Sequence, residues 1–206
     1  MDQFMQIFAL IETSISAAVI VIWLLQKIFQ IDMPLIVRLL LVVIFGNLFF
    51  WPMGSWLELP IAAYIRGVTG DLSIVSILLL WSSVLIPSKS SPMLFKVAVV
   101  TVALLFYPLA LGFGMFDPYA LGFGSLAFLI AVLVFAAICG LAAWSKGLFI
   151  IALAIIAWTF HWHESANLWD YLLDPFLAIW ALGSVLFSLH LKRRERARSG
   201  YLFRAG

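Results

Sequence analysis

The sequence is poor in charge and in cysteine. Only 11% of its 206 residues are charged, against roughly 25% in a soluble globular domain. The single cysteine, Cys139, excludes an intrachain disulfide and a zinc site built from several cysteines. Hydrophobic residues make up 65% of the chain and the mean hydropathy is +1.14. So apolar a composition predicts an integral membrane protein.

Long apolar runs predict membrane-spanning helices. Runs such as Leu121–Ala143 are apolar on every face, whereas a transmembrane barrel needs alternating polar and apolar residues. Because a spanning helix takes about 20 mostly apolar residues, we predict an all-α integral membrane protein, a bundle of about seven transmembrane helices forming one domain over residues 1–191. The predicted spans are about Phe4–Leu25, Pro34–Phe50, Gly70–Ile86, Phe95–Leu111, Pro118–Ala143, Gly147–Phe160 and Pro175–Leu191.

The basic residues are segregated to one side of this arrangement. Eleven of the twelve lie in or beside the connections after spans one, three and five, or in the segment 192–206. They are Lys27, Arg38, Lys89, Lys96, Lys146, Lys192, Arg193, Arg194, Arg196, Arg198 and Arg204. Since positive charge marks the cytoplasmic side, we predict the N-terminus out and the C-terminus in. Segment 192–206 is then a basic cytoplasmic tail that fixes topology or attracts anionic lipid headgroups.

Most acidic residues fall on the opposite, outer side. These are Asp2, Glu12, Glu58, Asp71, Asp117, Glu164, Asp170 and Asp174, and His161 and His163 join them. The same loops are rich in Trp, Tyr and Phe, which is typical of the aromatic belt at a membrane interface. A lipid-lined groove or a partner surface is the other interpretation.

Two outer segments carry local signals. Trp51–Thr69 is too long for a tight turn, and Pro60 precedes the apolar stretch Ile61–Ile65. This predicts a short interfacial or re-entrant helix between spans two and three. Leu111–Gly114 recurs ten residues later as Leu121–Gly124, which favours a tight glycine-rich hairpin between spans four and five.

Several outer carboxylates are also candidate helix caps. Asp117-Pro118 and Asp174-Pro175 each open a predicted span, and an Asp N-cap followed by Pro is typical of a helix start. Asn167 with Asp170 three residues later resembles a capping pair.

Arg66 is the one outer basic residue, and it lies just before the start of span three. The helix dipole there favours an anion, and a guanidinium fork suits a carboxylate or a phosphate. Arg66 therefore forms an ion pair with Glu58 or Asp71, or it binds an anionic lipid headgroup.

His161, His163 and Glu164 form a second candidate cluster. In an extended loop the two histidines would share a face and, with Glu164, Asp170 or Asp174, could bind a divalent metal. The alternatives are histidines that hydrogen-bond within the loop, or a pH-sensitive partner contact. We predict no other cofactor.

Glu12 is the exceptional charge of span one. If the span begins near Phe4, Glu12 lies about 12 Å deep and should face a cavity or a partner. If the span begins near Ile11, Glu12 lies at the surface. Asn47 in span two is a second intramembrane polar group that could meet Glu12.

The sequence carries no nucleotide-binding loop, no His-Glu-x-x-His zinc motif and no pattern for nucleic-acid binding. Ser125 and His161 could form a nucleophile and base on the outer face, but the Gly-x-Ser-Gly pattern of rhomboid proteases is missing because Leu126 follows Ser125. An enzymatic role is therefore not favoured.

Arg66–Ile74 resembles a turn in the membrane region of sulfatase-like phosphoglycerol and phosphoethanolamine transferases. The resemblance spans nine residues and implies a setting in the cell envelope, without an activity.

Three functions remain open. The favoured one is a non-catalytic subunit or accessory factor of a larger assembly in the bacterial inner membrane, which presents its outer face to another membrane protein or to a second copy. The second is a small enzyme or headgroup-binding protein that acts on lipid-linked substrates through Arg66 and the His161/His163 cluster. The third is a transporter.

Overall fold

The computed structural model describes residues 2–54, 57–85 and 90–202, and the side chains of 5–54, 57–85 and 90–196. Lys89 and Arg204 lie outside the described residues, as do the side chains of Asp2 and Arg198. Within this part of the chain the secondary structure is helical. The helices are α1 (Asp2–Phe29), α2 (Leu35–Phe50), α3 (Ile61–Thr69), α4 (Ile74–Leu85), α5 (Met93–Ala110), α6 (Leu126–Leu141), α7 (Ser145–Thr159), α8 (Trp169–Leu172) and α9 (Pro175–Leu202), with a short 3-10 helix at Tyr119–Gly122.

Three of the described helices are long and apolar enough to cross a membrane: Met5–Phe29, Met93–Ala110 and Pro175–Arg196. Four shorter apolar helices accompany them, namely α2, α4, α6 and α7. The helical class is therefore confirmed, and α3 confirms the short helix predicted between α2 and α4. The 12 residues of α4 rise about 18 Å, well short of a hydrocarbon core of about 30 Å, so the count of seven spans stays a prediction.

Helix α4 lies at the centre of the bundle. It packs against α1, α7, α8 and α9, while α1 pairs with α2, α6 with α7, and α5 with α9. The larger core cluster draws on α4 to α9. A smaller one joins Val19 and Ile22 of α1 to Val84 of α4. The outward surface is covered by exposed apolar side chains such as Ile36, Leu104 and Phe149, as expected where lipid is the solvent.

Contacts between helix ends define two ends of the bundle. At the first, Arg38 at the start of α2 donates to the carbonyl of Val84 at the end of α4, at 2.7 Å. The Phe95 and Trp144 rings, beside the starts of α5 and α7, lie 4.7 Å apart. We call this the basic end, defined by Lys27, Arg38, Lys96 and Lys146. We call the opposite one the acidic end, defined by Glu12, Asp71, Glu164, Asp170 and Asp174.

Helix α9 continues without a break from its apolar part into the basic segment that begins at Lys192. The predicted boundary at 191/192 is therefore a change of composition within one helix.

Candidate functional site at the acidic end

Arg66 and Asp71 form a bidentate ion pair at the acidic end. The Nη2 of Arg66 donates to Asp71 Oδ2 at 2.9 Å and its Nε donates to Oδ1. Nη2 also donates to Glu164 Oε1 at 3.3 Å. Of the two alternatives for Arg66, the structure contains the internal ion pair. Its partner is Asp71, whereas Glu58 is exposed and forms no ion pair among the described residues.

The local chain geometry explains this pair. Gly70 ends α3 with φ +69°, a value that glycine adopts without strain, and its N–H donates to the Arg66 carbonyl. The chain thereby turns back, so that Asp71 faces the last turn of α3. The hydrogen bond from Arg66 holds the pKa of the Asp71 carboxyl below its usual range, against the opposing effect of burial. The same bond raises the pKa of Arg66.

Glu12 is bound by the loop that follows α7. Trp162 Nε1 donates to Glu12 Oε1 at 2.7 Å, and His163 Nε2 lies 3.2 Å from Oε2. Because α1 begins at Asp2, Glu12 lies about 15 Å along the helix and inside the apolar stretch Met5–Phe29. Asn47 does not join this contact among the described bonds, since it donates to the Val43 carbonyl of its own helix at 2.8 Å.

The two histidines point to different environments. His161 is exposed and has φ +51°, while His163 is 5% exposed and its ring stacks on Tyr171 with centroids 4.9 Å apart. The metal-site hypothesis required the two histidines to share a face, and they do not. In the part of the chain that the structure describes, no three His, Cys, Asp or Glu side chains are grouped to hold a metal ion.

Asp174 joins the starts of α9 and α4. Its Oδ1 accepts from Leu177 N at 2.7 Å, which confirms the predicted helix cap, and its Oδ2 accepts from Ser73 N at 2.8 Å. Asp174 and Ser73 are buried, at 6% and 0% exposure. One carboxylate therefore accepts from backbone N–H groups at the starts of two helices that would otherwise be buried without a partner.

The prediction that Asp117-Pro118 opens a span is wrong. Asp117 accepts from Tyr119 N at 2.9 Å and begins only the short 3-10 helix. Helix α6 begins at Leu126, and its N-cap is Ser125, which accepts from Phe128 N at 3.4 Å. The short polar side chain that directly follows the glycine repeat is the better cap here because it lies directly before the apolar run. Ser125, considered above as a nucleophile, thus has a structural partner.

Asn167 and Asp170 tie the α7–α8 loop to the 3-10 helix. Asn167 Oδ1 accepts from Trp169 N and its Nδ2 donates to the Tyr119 carbonyl, both at 2.9 Å. Asp170 Oδ2 accepts from Tyr119 Oη at 2.9 Å and from Ser165 Oγ. Asn167 thus accepts from the first N–H of α8 from a position before its N-cap residue, Leu168. The Asp170 side chain bonds to Tyr119 and Ser165, so the predicted capping pair does not form.

Tyr119 and Tyr171 are two site residues that sequence reasoning missed. Tyr171 Oη accepts from His163 N at 3.0 Å and donates to the Ser165 carbonyl at 3.0 Å. Burial raises the pKa of both phenols, so each keeps its proton and can donate. No signal in the sequence separates these two tyrosines from the other aromatic residues of the outer loops, which are typical of an interfacial aromatic belt.

A cavity of about 520 Å³ opens among these groups. Its polar lining consists of Asp71, Tyr107, Tyr119, His163, Ser165, Asp170 and Asp174. Three of these are carboxylic acids, and the nearby guanidinium of Arg66 is already bonded by two carboxylates. The electrostatics of the cavity therefore suit a cationic group better than a phosphate.

The chain matches no family model, no curated protein and no solved structure. Its function has to be inferred from the geometry of its own residues. The acidic end offers an internally bonded set of polar side chains, a negative cavity and a rim of exposed aromatic residues.

Proposed function

We propose that the chain is a seven-span protein of the bacterial inner membrane, with its acidic end outside the cell membrane and its basic end in the cytoplasm. It acts as a non-catalytic subunit or accessory factor, and its acidic end receives another membrane protein of the envelope.

One observation carries this proposal. The polar side chains best suited to chemistry are held by bonds within the chain: Arg66 by Asp71 and Glu164, His163 by Glu12, and Asp174 by two backbone N–H groups. The Asp174 bonds are buried, and breaking a buried hydrogen bond leaves a group unsatisfied at a cost of about 1–3 kcal/mol. Such a network fixes the shape of a surface, and its polar groups are already paired without a substrate.

The surface around this network indicates the kind of partner. Glu58, Asp117 and Glu164 are exposed, and Trp51, Tyr64, Phe116 and Trp162 are exposed aromatic residues. Exposed aromatic side chains among charges of one sign favour a partner with basic groups and apolar pockets. A second copy meeting this face with its own acidic end would be repelled, so we propose a different protein.

The membrane placement is supported by the segregation of charge. The helix turns that flank the connections at the basic end carry Lys27, Arg38, Lys96 and Lys146, and the tail adds further Lys and Arg. An excess of basic residues marks cytoplasmic loops. The headgroup-binding alternative loses support, because a phosphate at Arg66 would have to displace two carboxylates.

Charge reversal at the acidic surface tests the proposal. The wild-type chain, the double variant Glu58→Lys/Glu164→Lys and the control Glu195→Lys at the basic end would each be purified in mild detergent after cross-linking in native membranes. We expect one defined partner with the wild type and the control, and its loss with the double variant. Recovery of the wild type as a lone monomer would contradict the proposal, as would equal recovery of the partner with all three chains.

A further inference from the structure

A second and larger cavity runs along the bundle. It has a volume of about 710 Å³, within the range of about 300–1,000 Å³ that small-ligand sites occupy. It lies on the face of α4 between α1, α3 and α9, and its middle part is apolar, with Ile20, Leu79 and Leu80 in the wall. An apolar channel of this kind accepts hydrocarbon.

The two ends of this cavity carry opposite charge. Glu12 and Asp71 line it at the acidic end, while Lys96 and Lys146 line it at the basic end. An amphiphile with an anionic head therefore has one favourable orientation, with its head at the lysines and its chains along α4.

Two helix starts meet at the basic end of the cavity. Lys96 lies in the first turn of α5 and Lys146 in the first turn of α7, and contact between the Phe95 and Trp144 rings places these turns side by side. Neither N-cap residue, Pro92 or Trp144, provides a side-chain cap. Two positive helix dipoles thus lie side by side, and both lysines line the same cavity, which favours an anion there.

Two further details fit a headgroup. The Nζ of Lys96 lies 5.4 Å from the centre of the Trp180 ring, and Trp180 itself lines the cavity. This contact keeps the ammonium against the groove. Ser90 and Ser91, just before α5, add hydroxyl donors to the same lining.

We propose that this groove binds an anionic phospholipid of the membrane leaflet at the basic end. The phosphate lies at Lys96, Lys146 and the starts of α5 and α7, and an acyl chain runs along α4. Basic pockets between membrane helices on the cytoplasmic side bind anionic headgroups for the same reason. The proposal does not depend on the partner of the acidic end.

Lipid-dependent thermal unfolding of the full chain tests this. The detergent-solubilised protein would be titrated with phosphatidylglycerol, with phosphatidylcholine and with inorganic phosphate alone, and the melting temperature followed. We expect phosphatidylglycerol alone to raise it by several degrees. In the double variant Lys96→Gln/Lys146→Gln, the apparent affinity for phosphatidylglycerol should fall about thirtyfold. Each basic residue near an anionic headgroup contributes about a five- to sixfold gain in affinity, and two such residues are lost.

Matched variants separate the groove from general surface charge. Lys27→Gln removes an exposed charge of the same end that does not line the cavity, and it should keep the wild-type affinity. Lys96→Arg/Lys146→Arg should also keep it. Ser83→Trp, which fills the groove at an exposed lining position without changing charge, should abolish the lipid effect.

Three results would overturn the proposal. One is equal stabilisation by phosphatidylcholine, and another is an equal loss of affinity in Lys27→Gln. The third is inorganic phosphate alone reproducing the whole shift, which would assign the lysines to a free anion.

Discussion

The two ends of the bundle use their few charges differently. At the acidic end, Asp71, Asp174 and Glu12 are each bonded to groups that lie far away along the chain or across a turn. At the basic end, Arg38 donates to the Val84 carbonyl at the end of α4, while Lys27 is exposed. The carboxylates named at the acidic end thus all bind within the chain, whereas the basic end combines the tertiary contact of Arg38 with an exposed lysine.

The largest expected loss in the free energy of unfolding distinguishes the two Asp-Pro pairs. Asp174→Ala removes a buried carboxylate that accepts from Ser73 N and Leu177 N. It should lower the free energy of unfolding by about 3 kcal/mol, because a buried N–H is left unsatisfied and a helix cap is lost. Chemical unfolding in detergent micelles measures this. Asp117→Ala, at an exposed Asp with one backbone bond, is the control and should cost about 1 kcal/mol or less. Equal losses would remove the distinction between the pairs.

The glycine repeat offers the next test. A Cβ at Gly122 would lie 1.6 Å from Asn167 Oδ1, and Asn167 is fully buried. Gly122→Ala should therefore cost about 2 kcal/mol through forced displacement of the α7–α8 loop. Gly183→Ala in α9, where a Cβ meets nothing within 4 Å, should be neutral or stabilising. If Gly122→Ala unfolds like the wild type in the same assay, the contact with Asn167 does not hold the loop.

Substitutions of the two histidines should differ less in their effect on the free energy of unfolding. His163→Ala leaves Glu12 without its imidazole neighbour and opens space against Tyr171, which should cost about 2 kcal/mol. His161→Ala changes an exposed side chain and should stay within about 0.5 kcal/mol of the wild type. The free energy of unfolding of both variants at pH 7 checks this. A larger loss at His161 would mean that the exposed ring, not the buried one, holds the loop.

Acid should weaken the Arg66–Asp71 pair. The pKa of Asp71 is lowered in the folded state, so its stabilising contribution is present above the usual Asp pKa of about 3.9. It is lost as the pH falls from there through the lower folded value. We expect a melting temperature that falls more steeply below pH 4 in the wild type than in Asp71→Asn. Parallel curves would show that the pair does not contribute to the pH dependence.

Local features of this fold could be predicted from the sequence, and long-range ones could not. The apolar runs located the helices, and Asp174-Pro175 indicated a helix start because capping involves only neighbouring residues. The same reasoning failed at Asp117, where the capping pattern occurs but the helix begins later at Leu126.

The partners of the site residues depend on packing between distant segments. Glu12 and His163 meet although 151 residues separate them along the chain. The apolar runs gave no help, because a helix that is apolar all round has no face to indicate its neighbour. The burial of His163 and the exposure of His161 likewise follow from the turn at residues 160–163, not from their composition.

We propose that the two ends lie on opposite sides of the membrane, with the acidic end outside. Labelling by a membrane-impermeant maleimide tests it most directly, in a background where Cys139 is replaced by Ala. Glu164→Cys and Glu195→Cys each place one thiol at an exposed position of the acidic and the basic end, respectively. In intact cells we predict labelling of Glu164→Cys at once and of Glu195→Cys only after permeabilisation. The reverse pattern, or labelling of both in intact cells, would show that the acidic end is not the outer one or that the two ends are not separated by the membrane.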